Sequence, residues 1–217
     1  DIQGVMRAFV ATYVKKGATQ GGSSLTQQYV KNVLLLQAQE DNDPIAEYHA
    51  SEETVARKLR EMLIAVQMEK TYSKLEILQG YLNIAQFGRG IYGVEMAARR
   101  YFSTTADKLD IVQAATIAAI TKNPAAFDPS VESNQKASQR ERNIVLDLMY
   151  QEEYISQKQR DEAKAKPLKD TLKLQDAQAG CSASGDAAFF CDYVTKKILN
   201  SKEFGKTIEE RKKLLYE

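Results

Sequence analysis

Apolar residues recur along this chain at three- and four-residue intervals, the period of an amphipathic helix, and alternating strand-like runs are nearly absent. Ile2, Met6, Phe9, Val10 and Tyr13 form the first stripe, which Gly17 closes. A second helix is expected from about Leu25 to Gln37. Gln39 to Ser51 is polar and acidic, holds Pro44 and carries no apolar stripe, so it reads as a surface loop. A long helix then aligns Val55, Leu59, Met62, Leu63, Val66 and Met68 on one face. Ser73-Lys74-Leu75-Glu76 matches a capping box and starts the next helix, which runs through Tyr81-Leu82-Asn83. Gly88, Gly90 and Gly93 interrupt the pattern. Asp110 caps a segment, Ile111 to Thr121, that is apolar on nearly every side and reads as the central buried helix, ended by Asn123-Pro124. Ser133 to Tyr150 is a further amphipathic helix, and Ser156 starts a shorter one. From about Lys166 the chain turns polar through Pro167, Asp170 and Gly180, as a linker or second module does. Beyond it, Phe190, Tyr193, Val194 and Ile198 precede a capping box at Thr207 to Glu210. The pattern predicts an all-α fold.

Composition adds few constraints. A chain of 217 residues with 43% hydrophobic content can bury a sizeable core. Thirty basic and 29 acidic residues leave a net charge of +1, so no global field draws in nucleic acid and any anion site must be local. No run approaches the roughly 20 apolar residues of a membrane helix. The start at Asp1, without methionine, reads as a trimmed piece of a longer protein. Cys181 and Cys191 form either a local disulfide, which implies an oxidising extracellular compartment, or two free thiols.

Candidate chemistry concentrates in two places. Gly21-Gly22-Ser23-Ser24 opens into a helix carrying Thr26, Gln27, Gln28, Lys31 and Asn32. Glycines allow close backbone approach, helix-start N–H groups favour negative charge and Lys31 adds a cation, so the run fits a phosphate or pyrophosphate. It also fits an ordinary loop before a capped helix, and it is neither a P-loop nor a dinucleotide fingerprint. Arg57, Lys58 and Glu61 share one helix face, either as a solvated ion-pair cluster or, in a cleft, as cations that bind phosphate beside a carboxylate. Tyr81 and Asn83 read as core packing and capping, or as polar groups beside a glycine-rich backbone. His49 reads as a surface residue, and no metal-ligand spacing accompanies it.

Together these residues resemble the glycosyltransferase family 51 module of class A penicillin-binding proteins. Gly21-Gly22-Ser23 through Thr26-Gln27-Gln28 and Lys31-Asn32 is similar to the family's second motif, and Arg57-Lys58 with Glu61 to its third. Tyr72-Ser73-Lys74, Tyr81-Leu82-Asn83 and Phe87-Gly88 are similar to the fourth. Gly93-Val94-Glu95, Ala97-Ala98 and Tyr101-Phe102 are similar to the fifth. The resemblance implies a lysozyme-like, all-α transglycosylase domain over 1–166 and a linker over 167–217, leading towards a penicillin-sensitive transpeptidase. Phe189-Phe190 and Tyr193-Val194 resemble that linker's pattern.

The implied reaction is inverting transfer of a growing glycan from its polyprenyl pyrophosphate to the 4-hydroxyl of lipid II. The implied partners are lipid II, the nascent glycan strand, the outer face of the cytoplasmic membrane and other cell-wall synthesis proteins, at an extracytoplasmic location. Carried over by position, Ser23, Gln27, Gln28 and Lys31 would bind the donor's pyrophosphate and nearby sugar. Arg57 and Lys58 would extend that surface, and Glu61 would be a catalytic carboxylate that orients the acceptor or assists the leaving group. Thr26, Asn32, Tyr81 and Asn83 would support the cleft. No cofactor is assigned, although a divalent cation, Mg or Mn, stays open, with Glu40, Asp41 and Asp43 as candidate ligands.

Three departures accompany the resemblance. The family's Glu-Asp pair followed by a phenylalanine and a histidine, which carries the principal general base, belongs just before Asp1. The arginine that usually follows the second motif is replaced by Gln37-Ala38-Gln39-Glu40-Asp41. The connection from Lys31 to Arg57 is longer and more acidic than the family leads one to expect. A lysozyme-like peptidoglycan hydrolase and a non-catalytic lipid-pyrophosphate-binding module are the competing readings.

Overall fold

The structure is a computed structural model that describes residues 23–175 and 187–216. The expected helix over Ile2 to Tyr13 and the glycines Gly21 and Gly22 lie outside the described residues. Among the described residues the chain is helical, and its one non-helical pairing is an isolated antiparallel bridge between Gln86 and Tyr92.

The first unit begins with α1 (Leu25–Glu40), capped by Ser24 in a full capping box with Gln27. Helix α2 (Pro44–Ser51) follows where a surface loop was expected, and α1 itself continues past Gln37. The reason is local. Asp43 Oδ1 accepts from Ile45 N and Ala46 N at 3.0 Å each, and Pro44 occupies the first turn, where its missing N–H costs nothing. Asn42, at φ 51, supplies the left-handed corner between the two helices.

Helix α3 (Val55–Thr71) has its apolar residues on one face, but that face is exposed: Leu63 is 69% accessible, and Leu59, Val55 and Val66 are also open. The face that turns inward carries Glu61 and Ala65. Ser73 and Glu76 complete the expected capping box of α4 (Lys74–Ile84). Gly80 lets this helix approach α1, since a Cβ there would stand 2.4 Å from the Tyr29 hydroxyl.

Two apolar clusters share α6 (Ile111–Ile120), the central buried helix. Ile117 and Ile120 pack with Tyr81, Phe87, Tyr101 and Phe102, the last two from α5 (Val94–Phe102). Val112 and Ala115 pack with Leu146 of α7 (Gln135–Gln151), Ile155 and Ala163 of α8 (Gln157–Ala165). Arg142 of α7 is fully buried and donates to the carbonyls of Lys166 at 2.8 Å and Lys164 at 3.4 Å, closing the C-terminus of α8. Burial pulls its guanidinium pKa down.

The first compact unit runs to Gln175. Leu168, in the single-turn helix α9 (Leu168–Thr171), is buried. Lys173 N then donates to Tyr101 O at 2.8 Å and Gln175 N to Arg100 O at 2.9 Å, so the chain lies as a strap along the end of α5. The second unit, over its described residues, packs α10 (Ala188–Asn200) with α11 (Ile208–Tyr216), and Thr207 and Glu210 make the expected cap. Cys191 is disulfide-bonded; Cys181 lies outside the described residues.

Candidate active site

The N-termini of α1 and α3 meet at a cluster of charges. Thr54 caps α3, accepting from Arg57 N at 3.1 Å, so the next turn presents Arg57, Lys58 and Glu61 together. Glu61 is 1% exposed, and its two carboxylate oxygens are divided between the two cations. Arg57 Nη1 donates to Oε1, and Lys58 Nζ donates to Oε2 at 2.9 Å. Arg57 Nε also donates to the Glu52 carbonyl, and Lys58 Nζ to Ser23 Oγ, 35 residues earlier in the chain. The trio is not a fully solvated surface cluster, because its carboxylate is buried. Side-chain exposure is 12% for Arg57 and 23% for Lys58. Two cations enclose one carboxylate, which leaves a local excess of positive charge next to a helix start.

Along α1 the candidate residues divide into structural and available groups. Gln27 is buried, and its Oε1 accepts from Ser24 N at 3.2 Å, so that oxygen is engaged in the cap. Thr26 Oγ1 donates to Glu69 Oε1 at 2.7 Å, tying α1 to the far end of α3. Gln28 is exposed and accepts from Tyr81 Oη at 3.3 Å. Burial raises the Tyr81 hydroxyl pKa. Lys31 and Asn32 are half-buried, and among the described residues the Lys31 ammonium has no hydrogen-bond or ion-pair partner. A half-buried cation without a partner, one turn beyond Gln27 and Gln28, is available to an anion.

Asn83 is exposed, and its contribution comes from the backbone. Gly93 has φ +83, and a Cβ there would stand 2.8 Å from the Asn83 carbonyl oxygen. The glycine turn is held from behind by Tyr101, whose hydroxyl donates to Phe87 O at 2.6 Å. Beside it, Asp128 accepts from Ser130 N and Oγ and from Arg89 N. Desolvation, followed by the Asp128 carboxylate, pushes the Tyr101 hydroxyl pKa far up, so it stays a proton donor to that carbonyl.

Sequence reasoning did not single out Glu69, Thr54 or Asp128, and Tyr101 entered only through the fifth-motif resemblance. Thr54 preceding Val55-Ala56-Arg57 was a readable cap signal; the contacts of Glu69 with Thr26, Asp128 with Arg89 and Tyr101 with Phe87 join residues too far apart in sequence to have left one. Among the described residues no group of three or more His, Cys, Asp or Glu side chains is placed to hold a metal. His49 is exposed and lies 3.2 Å from Glu52.

A protein-family model described as Transglycosylase matches residues 1–150. The chain belongs to the transglycosylase family. Penicillin-binding protein 1A of Aquifex aeolicus is 38% identical over 168 residues, which make up 77% of this chain and 21% of that protein. Penicillin-binding protein 1A/1B of Bacillus subtilis is 35% identical over 192 residues, 88% of this chain and 19% of that protein. This transglycosylase chain therefore spans about a fifth of the length of the curated relatives it matches. The crystal structure of penicillin-binding protein 1A from Haemophilus influenzae aligns with 70% of the chain and 18% of its own, at 25% identity and a TM-score of 0.43.

Proposed function

We propose that this chain carries the donor-anchoring part of a peptidoglycan glycosyltransferase. A growing glycan would leave its polyprenyl pyrophosphate and pass, with inversion, to the 4-hydroxyl of lipid II. The reading rests above all on the junction of Ser23, Lys58, Glu61 and Arg57, with the unpartnered Lys31 on the adjoining helix. Pyrophosphate departure develops negative charge, and preorganised cations in a water-poor cleft stabilise it. Lys31 meets the leaving group first, Arg57 and Lys58 extend the cationic surface, and Ser23 and Gln28 offer hydrogen bonds. Glu61 sets the position of both cations and orients the acceptor. The principal base belongs to the Glu-Asp pair followed by Phe and His, a pattern these 217 residues do not contain.

The parent protein acts at the outer face of the cytoplasmic membrane with cell-wall synthesis partners and carries a penicillin-sensitive transpeptidase. No helix among the described residues is long and apolar enough to cross a membrane. A lysozyme-like hydrolase is the weaker reading, because cleavage of a neutral glycosidic bond has no pyrophosphate for Lys31, Arg57 and Lys58 to stabilise.

The test titrates the chain with inorganic pyrophosphate by calorimetry. Lys31→Ala is expected to weaken binding by about ten- to a hundredfold, the loss of one charge-assisted hydrogen bond, with an unchanged melting temperature. Equal affinity of mutant and parent removes Lys31 from the site. Glycan made from lipid II by this chain would place the base within these residues.

A further inference from the structure

Helices α1 and α4 cross so closely that the crossing leaves no room for a side chain on one of them. A Cβ on Gly80 would stand 2.4 Å from the Tyr29 hydroxyl. One residue from that crossing on each helix, the Tyr81 hydroxyl donates to Gln28 Oε1 at 3.3 Å. Tyr81 is buried in the apolar cluster around α6, whereas Gln28 is exposed. The phenol is therefore the fixed member of the pair, and the amide is the member that the bond orients.

The polarity of this bond decides what Gln28 offers to a ligand. A phenol donates more readily than it accepts, because its oxygen shares a lone pair with the ring. Burial raises the Tyr81 pKa, so the hydroxyl keeps its proton across the neutral range. With Oε1 taken by that proton, the group left over is Nε2, whose two N–H donors have no partner among the described residues. Lys31 lies three residues on, on the same face of α1, and its ammonium also donates only. Both side chains then suit a ligand made of acceptor oxygens, as pyrophosphate is. An amide free to turn over would present its oxygen as readily as its nitrogen, and that oxygen repels phosphate oxygens.

We propose that Tyr81 is a positioning residue that locks the Gln28 amide with Nε2 towards the donor's pyrophosphate. The assignment rests on the glycosyltransferase reading for the identity of the ligand, and on the crossing of α1 and α4 for the orientation of the amide. Tyr81 touches no substrate atom and acts through Gln28 alone.

The test is a double-mutant cycle on the 217-residue chain, titrated with inorganic pyrophosphate by calorimetry. Tyr81→Phe alone is expected to weaken binding by about two- to fivefold, within the range of one neutral hydrogen bond. In a Gln28→Ala background the same change is expected to leave affinity as it was, because the residue through which Tyr81 acts is gone. A merely structural Tyr81 would lower the melting temperature without touching affinity, or would weaken binding equally in both backgrounds, and either result overturns the proposal. Nuclear magnetic resonance of the free chain adds a measurement that needs no ligand. The side-chain amide signals of Gln28, identified by their loss in Gln28→Ala, are expected to shift in Tyr81→Phe; signals that stay in place overturn the proposal. Failure of the parent chain to bind pyrophosphate is a different outcome: it refutes the pyrophosphate reading and with it the ligand assigned to Gln28, while the amide signals still decide whether Tyr81 orients that side chain.

Discussion

Replacing Glu61 by glutamine keeps the shape of the junction and removes its one negative charge. Glu61 is buried between Arg57 and Lys58. Removing one member of a fully buried ion pair costs about 3–5 kcal/mol, because its partners are left charged and unpaired. Here the partners keep 12% and 23% of their side-chain exposure, Arg57 retains the Glu52 carbonyl and Lys58 retains Ser23. Water and these contacts offset part of the loss, which brings the expected cost to about 2–3 kcal/mol. For a unit of this size that is a fall in melting temperature of roughly 4–12 °C. The same change leaves the cations unopposed towards a ligand, and at a separation of about 6 Å one unit of charge is worth on the order of 1 kcal/mol, or at least about fivefold tighter pyrophosphate binding. Stability and anion affinity therefore move in opposite directions, and saturating pyrophosphate restores part of the lost stability. Differential scanning fluorimetry with and without pyrophosphate, joined to calorimetry, measures both. An unchanged melting temperature, or weaker pyrophosphate binding by Glu61→Gln, refutes the account of Glu61 as the carboxylate that holds two cations in place.

Other perturbations have equally definite outcomes. Gly90 and Gly93 both have positive φ, but a Cβ at Gly90 meets open space and one at Gly93 meets the Asn83 carbonyl. Urea denaturation should then give about 1 kcal/mol lost for Gly90→Ala and about 2–4 kcal/mol for Gly93→Ala; equal losses contradict the steric argument. Arg142→Met fills the space but removes the donor to the part-buried Lys164 and Lys166 carbonyls, at a cost of about 1–2 kcal/mol by the same assay, and a loss below about 0.5 kcal/mol would show that these bonds add nothing to stability. The backbone N–H of Ser73, followed by its hydroxyl, lowers the Glu76 pKa. A depressed folded-state pKa means that its contribution is complete above the unfolded value and is lost as pH falls through the folded one. Hydrogen exchange at the first turn of α4 should therefore speed up as pH falls through the acid range beyond the intrinsic trend, and Glu76→Gln should abolish the excess.

Local signals were the legible part of this molecule. The caps at Ser73, Asp110, Ser156 and Thr207 formed where side chains three residues apart could satisfy helix-start N–H groups. The i,i+4 relation of Arg57 and Glu61 was visible for the same reason. Helix α2 was missed because its apolar stripe is too weak to show, although Asp43-Pro44 announces it. Periodicity placed the stripe of α3 but not the side that faces inward, since a charged trio that satisfies itself can be buried in place of leucines. The link between Ser23 and Lys58 depends on where two helix starts meet in space, and the strap over α5 depends on backbone groups common to every residue. Neither leaves a pattern in a single sequence.

The strap also determines how the first unit answers a mechanical load. Tension on the chain beyond Gln175 falls first on the bond from Gln175 to Arg100 and then on that from Lys173 to Tyr101, broken one after the other. Behind them Leu172 sits against the apolar core, and Tyr101 grips Phe87 through its hydroxyl. A pull on the chain beyond Gln175 therefore bears first on the end of α5, where four hydrogen bonds hold residues 173–175, before it reaches Leu172 and the core.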